Sequence, residues 1–186
     1  MNIENMQVDE LNNLCENLRE KIIDVVLKNG GHLASNLGVV ELTVALDRVF
    51  NFKENKILFD VGHQAYVYKL LTDRKNNFNT LRKLDGVGPF LDPEESEYDN
   101  FISGHAGSAL SAACGMAVAY PNEKIIVVVG DASIANGHSL EALNNMINLK
   151  NMIVVLNDND MSIAPPVGAM SSYLAKLLSG NKYIGF

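Results

Sequence analysis

Apolar positions recur every three or four residues through Leu11, Cys15, Leu18, Ile22, Val25 and Val26, which predicts an amphipathic helix ended by Gly30-Gly31. From Gly38 to Phe50, Val40, Leu42, Val44, Ala45, Leu46 and Val49 follow one another without a breaker, so a second, more buried helix is expected. The run Ile57-Leu58-Phe59 reads as a short strand, with Asp60-Val61-Gly62-His63 where a parallel strand would end. A further helix begins at Tyr66 and runs to Leu71. Between Asn76 and Pro93, Gly, Pro and Asn interrupt short apolar pieces, the pattern of an extended connection. Asp92, Glu94, Glu95, Glu97 and Asp99 form an acidic cluster, expected to be a solvated loop.

The second half of the chain alternates more cleanly. Ser108 to Ala119 is alanine-rich with Gly115 embedded, which suggests a helix packed closely on a sheet. Ile125 to Val129 is an unbroken β-branched run, the mark of a strand buried on both faces, and Gly130-Asp131 closes it. Leu140 to Ile147 is helical in pattern, Met152 to Leu156 reads as a second buried strand ending at Asn157, and Val167 to Leu178 resumes a helical pattern after Pro165-Pro166. Strands alternating with helices define an α/β fold with a mainly parallel sheet flanked by helices.

The length of 186 residues suits one domain, and 47% hydrophobic against 20% charged residues excludes global disorder. A net charge of −7 with no basic run argues against nucleic acid as a partner. The apolar runs are far shorter than the ~20 residues that span a bilayer, and the N-terminus carries no signal-peptide pattern, so no membrane association and a cytoplasmic location are expected. Cys15 and Cys114 show no metal-ligand spacing and read as buried small hydrophobes.

Ligands of open parallel sheets bind beyond the carboxyl ends of the strands, which selects Asp60 to His63, Gly130 to Ala132, and Asn157 to Met161. Oxygen donors from two neighbouring strand ends, Asp131 and the Asn157-Asp158-Asn159-Asp160 run, suit a hard cation such as Mg²⁺. Ordinary turn chemistry uses the same residue types, and the two readings stand side by side. Phosphate-loop, dinucleotide, zinc-protease and serine-hydrolase motifs are all missing. His32, His63, His105 and His138 each lie beside a glycine or in a glycine-rich turn.

These residues converge on a known pattern. The string Gly31-His32-Leu33-Ala34-Ser35-Asn36-Leu37-Gly38-Val39-Val40-Glu41-Leu42-Thr43 resembles an N-terminal signature of the 1-deoxy-D-xylulose-5-phosphate synthases, thiamine-diphosphate enzymes related to transketolase. Phe59 to Tyr66, Glu95 to Asp99 with Gly104-His105, Gly130-Asp131, Leu156 to Ile163, and Val167 to Ser171 are similar to further motifs of that family. The resemblance implies an incomplete thiamine-diphosphate-binding fold that holds the diphosphate and Mg²⁺.

It also implies roles. Asp131, Asn159 and the Met161 carbonyl would ligate Mg²⁺; His63, Gly104, His105, Ala106, Asp131, Ala132 and Asn159 would border the cofactor; His32 would face the reacting centre and assist proton transfer. The implied reaction condenses pyruvate with glyceraldehyde 3-phosphate, with loss of CO₂. Two positions depart from the family. Ala132 stands where a third glycine is usual, costing ~1 kcal/mol if its φ is positive and little otherwise. Ala106 replaces a hydroxyl after His105, with one cofactor hydrogen bond of ~1 kcal/mol at stake.

No glutamate of this chain matches the one that activates the cofactor in the family's pyrimidine-binding domain. The chain is therefore expected to be one truncated domain, inactive alone, that needs a pyrimidine-binding region or separate subunit, within an enzyme that is a homodimer when complete. A split transketolase-like enzyme and a degenerate interaction domain are the other two readings.

Overall fold

A computed structural model describes residues 3–158 together with Ala169, Tyr173 and Lys176. The expected helix over Val167 to Leu178 thus lies mostly outside the described residues, as do Asn159 and Met161; Ala169, Tyr173 and Lys176 are helical.

The predicted first helix is α1 (Val8–Asn29), whose first turn carries Asp9 and Glu10 and whose last carries Lys28, complementing the helix dipole. The Glu10 carboxylate accepts the Gln7 N–H at 2.7 Å, and the chain leaves through Gly30, whose N–H donates to the Val26 carbonyl. A single turn, α2 (Ala34–Leu37), precedes α3 (Val40–Phe50). Then follow β1 (Lys56–Phe59), α4 (Tyr66–Leu71), a 3₁₀ turn at Phe78–Thr80, α5 (Ala109–Ala119), β2 (Ile125–Gly130), α6 (Asp131–Ile134), α7 (Gly137–Asn145) and β3 (Met152–Asn157).

All pairing is parallel, in the order β1-β2-β3, with Phe59 opposite Val128 and Gly130 opposite Asn157. Side chains alternate across this sheet and build two cores. Ile57, Phe59, Ile126 and Val128 face α1, α3 and α4 together with Tyr66, Tyr68 and Phe78. Leu58, Ile125, Val127 and Val129 face α5 and α7, where Ala109, Ala113, Ala117 and Ala142 line the contact. The central strand carries both cores, and Ile125 to Val129 are completely buried, each contributing about 1.5–3 kcal/mol of apolar burial.

Three expectations need correction. The close approach of α5 to the sheet is made by its alanines, whereas Gly115 is exposed and a Cβ there would meet nothing within 4 Å. Met152 to Leu156 forms a strand but not a doubly buried one: as the outer strand among the described residues, its Ile153, Val154 and Val155 are half-buried and Leu156 is exposed. The acidic cluster is solvated only at Glu94 and Glu97. Asp99 is buried and pairs with Arg74 at 2.8 Å, while Glu95 pairs with the fully buried Lys69 of α4. Burial pushes the Lys69 ammonium down against the opposing pull of Glu95, and pushes the Asp99 carboxyl up against that of Arg74. Each charge is kept inside because its counter-charge is in contact. Of the two cysteines, Cys15 is buried and Cys114 half-buried, both free.

Candidate functional site

The carboxyl end of β1 is a sharp turn. Val61 (φ 59°) and Gly62 (φ 79°) both take left-handed backbone, which for a β-branched residue is a strained state of order 1–3 kcal/mol. Gly62 is required for space as well, because a Cβ there would lie 2.1 Å from Ser103 Oγ. This turn delivers His63 and starts α4 at Tyr66.

Asp60, the first residue beyond β1, is buried, and its carboxylate accepts the Gly107 N–H at 2.9 and 3.0 Å and the Ala109 N–H at 3.2 Å. A carboxylate at the start of α5 is favoured by the helix dipole and by charge-assisted hydrogen bonds. Asp60 thereby locks the Gly104–Ser108 turn to the end of β1. Gly107 (φ 90°) admits no side chain, since a Cβ would lie 2.6 Å from the Asn136 side chain. Asn136 in turn donates to the Ala106 carbonyl at 3.4 Å. His105 and Ala106 are exposed at the crest of this turn, and a Cβ at Gly104 would meet nothing within 4 Å, so the crest presents bare backbone.

His32 comes from the loop before α2. Its backbone N–H donates to the Tyr66 hydroxyl at 3.3 Å, and its ring Nδ1 meets the same hydroxyl at 3.4 Å. That contact leaves Nε2 as the ring nitrogen turned to other partners. The His32 ring lies edge-on to His63 with centroids 5.7 Å apart and 5.6 Å from the Phe90 ring. Desolvation holds His32 below the ordinary imidazole value, aided by the Arg82 guanidinium. Burial, reinforced by His32, does the same to His63, with Asp60 pulling the other way. Both rings are accordingly neutral at pH 7.

Asp131 opens α6 directly beyond β2, half-buried. Gly130 is opposite Asn157, so β3 ends beside the strand end that Asp131 follows. Ala132 is exposed in α6 and is not among the positive-φ residues, so its methyl group costs no backbone strain there. Among the described residues no group of three or more His, Cys, Asp or Glu is arranged to hold a metal; of the three implied Mg²⁺ ligands only Asp131 lies within them. His138 stands apart, exposed at the start of α7, with its N–H on the Asn136 capping oxygen.

Two buried polar atoms in this region lack a partner among the described residues: His63 Nδ1 and Gln64 Oε1. An unpaired buried polar group costs about 1–3 kcal/mol, so a polar ligand that reached these two atoms would be favoured. A diphosphate cofactor with a nitrogenous head fits that donor and acceptor set, and the bare Gly104–Ala106 crest gives it backbone to lie against.

Sequence reasoning reaches Asp60 only as the first residue of a strand-end segment, and gives no role to Asn36, Tyr66, Arg82 or Phe90. Asp60 carries the one legible signal, a carboxylate directly after an apolar strand.

A parallel sheet covered by helices on both faces, with histidines, an acidic residue and glycine turns gathered beyond its carboxyl ends, has its candidate site where open α/β sheets bind their ligands. The family model for 1-deoxy-D-xylulose-5-phosphate synthase matches residues 1–186. A 1-deoxy-D-xylulose-5-phosphate synthase from Fusobacterium nucleatum is 60% identical over 180 residues, covering 96% of this chain and 30% of that protein. Proteins of the same name from Dictyoglomus thermophilum and Clostridium acetobutylicum are 52% and 48% identical, covering 94% and 97% of this chain and 29% and 30% of their own lengths. The chain belongs to the 1-deoxy-D-xylulose-5-phosphate synthase family, and it spans about 30% of the length of the curated relatives it matches.

Proposed function

We propose that this chain is the diphosphate-binding part of a thiamine-diphosphate-dependent transferase that condenses pyruvate with glyceraldehyde 3-phosphate to 1-deoxy-D-xylulose 5-phosphate, releasing CO₂, a step toward isoprenoid, thiamine and pyridoxal precursors. The observation that carries the reading is the gathering of the His32–His63 pair, the Gly104–Ser108 turn and Asp131 at one end of one sheet.

Thiamine diphosphate, when bound, supplies the carbanion chemistry of decarboxylation and carbon–carbon bond formation. The chain's own residues bind and orient. His63 and the Gly104-His105-Ala106 crest would border the cofactor, and Asp131, Asn159 and the Met161 carbonyl would hold Mg²⁺, which would supply positive charge for the diphosphate. His32, neutral and anchored through Nδ1 by Tyr66, moves a proton at Nε2. Phe90 beside it limits water at the reacting centre. A region outside these 186 residues, in the same polypeptide or a second one, would supply the group that activates the aminopyrimidine, in an enzyme that is homodimeric when assembled. On this reading the 186 residues alone form no product.

The interaction-domain reading draws on Ala132 and on the missing pyrimidine-binding region, and it loses the first of these, because the Ala132 backbone is helical and unstrained. Calorimetric titration with thiamine diphosphate and Mg²⁺ tests the proposal: saturable binding is expected for the wild type and not for Asp131→Ala. Turnover is expected only when the remaining part of a related enzyme is supplied, as a second chain or by fusion. Product formed by the 186 residues alone, or binding indifferent to Asp131→Ala, overturns it.

A further inference from the structure

Asn36 is completely buried as the third residue of the four-residue helix α2. Its Nδ2 group donates to the His32 carbonyl at 2.6 Å and to the His63 carbonyl at 2.8 Å, and its Oδ1 accepts the Tyr66 N–H at 2.8 Å. One carboxamide thus ties the α2 region to the turn after β1 and the first residue of α4, 27 and 30 residues further along the chain. These are the three points that orient the two rings, because Tyr66 also anchors His32 through its hydroxyl. Among the described residues, no other side chain hydrogen-bonds to both histidine segments. Apolar contact cannot replace it, since backbone carbonyls left without a donor in a buried site are costly, and hydrogen bonds there are directional and strong.

We propose that Asn36 is a positioning residue that sets the spacing and mutual orientation of His32 and His63 for the chemistry assigned above. The geometry belongs to the chain itself; only the purpose rests on that functional reading. A residue that merely filled space would leave the ring pair unchanged in any folded variant. A positioning residue would not, and the electrostatic influence of His32 on His63 reports the difference. Arg82 and Asp60, the other charged groups acting on the pair, stay constant throughout the comparison.

The experiment is a ring-resolved NMR pH titration of His63 in the 186-residue chain, with and without His32→Gln. It is carried out with Asn36 intact and in the variants Asn36→Ala, Asn36→Ser and Asn36→Asp. With Asn36 intact, His32→Gln should move the His63 midpoint upward. In folded Asn36→Ala and Asn36→Asp, which lack both donors, that shift should be lost. Asn36→Ser, which retains one donor, should keep part of it. An undiminished shift in a folded Asn36→Ala or Asn36→Asp overturns the proposal. Loss of folded circular dichroism in all three variants does so as well, because Asn36 would then be a general structural residue. Adding thiamine diphosphate and Mg²⁺ to the wild type separates the two claims: unmoved His32 and His63 resonances would sink the functional reading while leaving the coupling result intact.

Discussion

The two strand ends that meet at the candidate site are built on opposite principles. Beyond β1, the Asp60 carboxylate takes three backbone hydrogen-bond contacts, Asn36 takes three more, and two consecutive left-handed residues force the chain around. Beyond β2, Asp131 opens a single helical turn, half-buried, with an exposed Ala132 behind it. The first region is over-determined by its own chain and presents two neutral rings in fixed relation. The second leaves a carboxylate free to answer to something added. On the proposed function, the residues assigned to proton transfer are locked before any ligand arrives, and the one assigned to a charged ligand stays accessible to it.

Breaking the locked end should have the largest effect. Asp60→Ala removes the acceptor of two buried N–H groups, and denaturant unfolding should show a loss of roughly 3–5 kcal/mol. Asp60→Asn, which keeps one acceptor oxygen, should lose less. Next comes Gly62→Ala, where the added methyl meets Ser103 on left-handed backbone. Its expected cost is about 2–3 kcal/mol, read as a lower denaturation midpoint at unchanged m.

The ring pair predicts a pH dependence of its own. His32 and His63 are held below the ordinary imidazole value of 6.5 in the fold. Their stabilising contribution is fully present above 6.5, where both states carry neutral rings. Below 6.5 the unfolded chain binds protons that the folded chain resists, so stability should fall as pH drops toward the folded-state midpoints. Thermal unfolding between pH 7.5 and 5.5 should show the decline, and His32→Gln with His63→Gln should flatten it. The smallest stability effect belongs to the open end. Asp131→Ala should change unfolding by about 0.5 kcal/mol, the worth of a carboxylate in a helical first turn, while Mg²⁺-dependent diphosphate binding disappears. A large loss of stability from Asp131→Ala would erase the distinction between the two ends.

Hydrophobic period determined the element types on its own. The runs at Ile57 and Ile125 announce strands and the spacing from Leu11 to Val26 a helix, because burial on one face or two leaves a local trace in the sequence. The candidate site was legible as far as strand ends and motif strings reach: these single out His32, His63 and Asp131, and the structure sets His63 and Asp131 just beyond the carboxyl ends of β1 and β2, with His32 beside His63.

What tertiary structure alone decided is how non-local partners are spent. Lys69 inside an apolar helix and Asp99 in an acidic run each look misplaced until Glu95 and Arg74 are brought against them. Neither partner is at a spacing that a local pattern could reveal. The same holds for Asn36, whose acceptors at His32 and His63 become neighbours only when two turns meet, and for β3, whose apolar run gave no hint that it would be the outer strand among the described residues. Burial propensity is a property of each residue and its near neighbours, so sequence carries it. Hydrogen-bond and ion-pair partners are properties of folded distances, and those exist only once the sheet and its helices have packed.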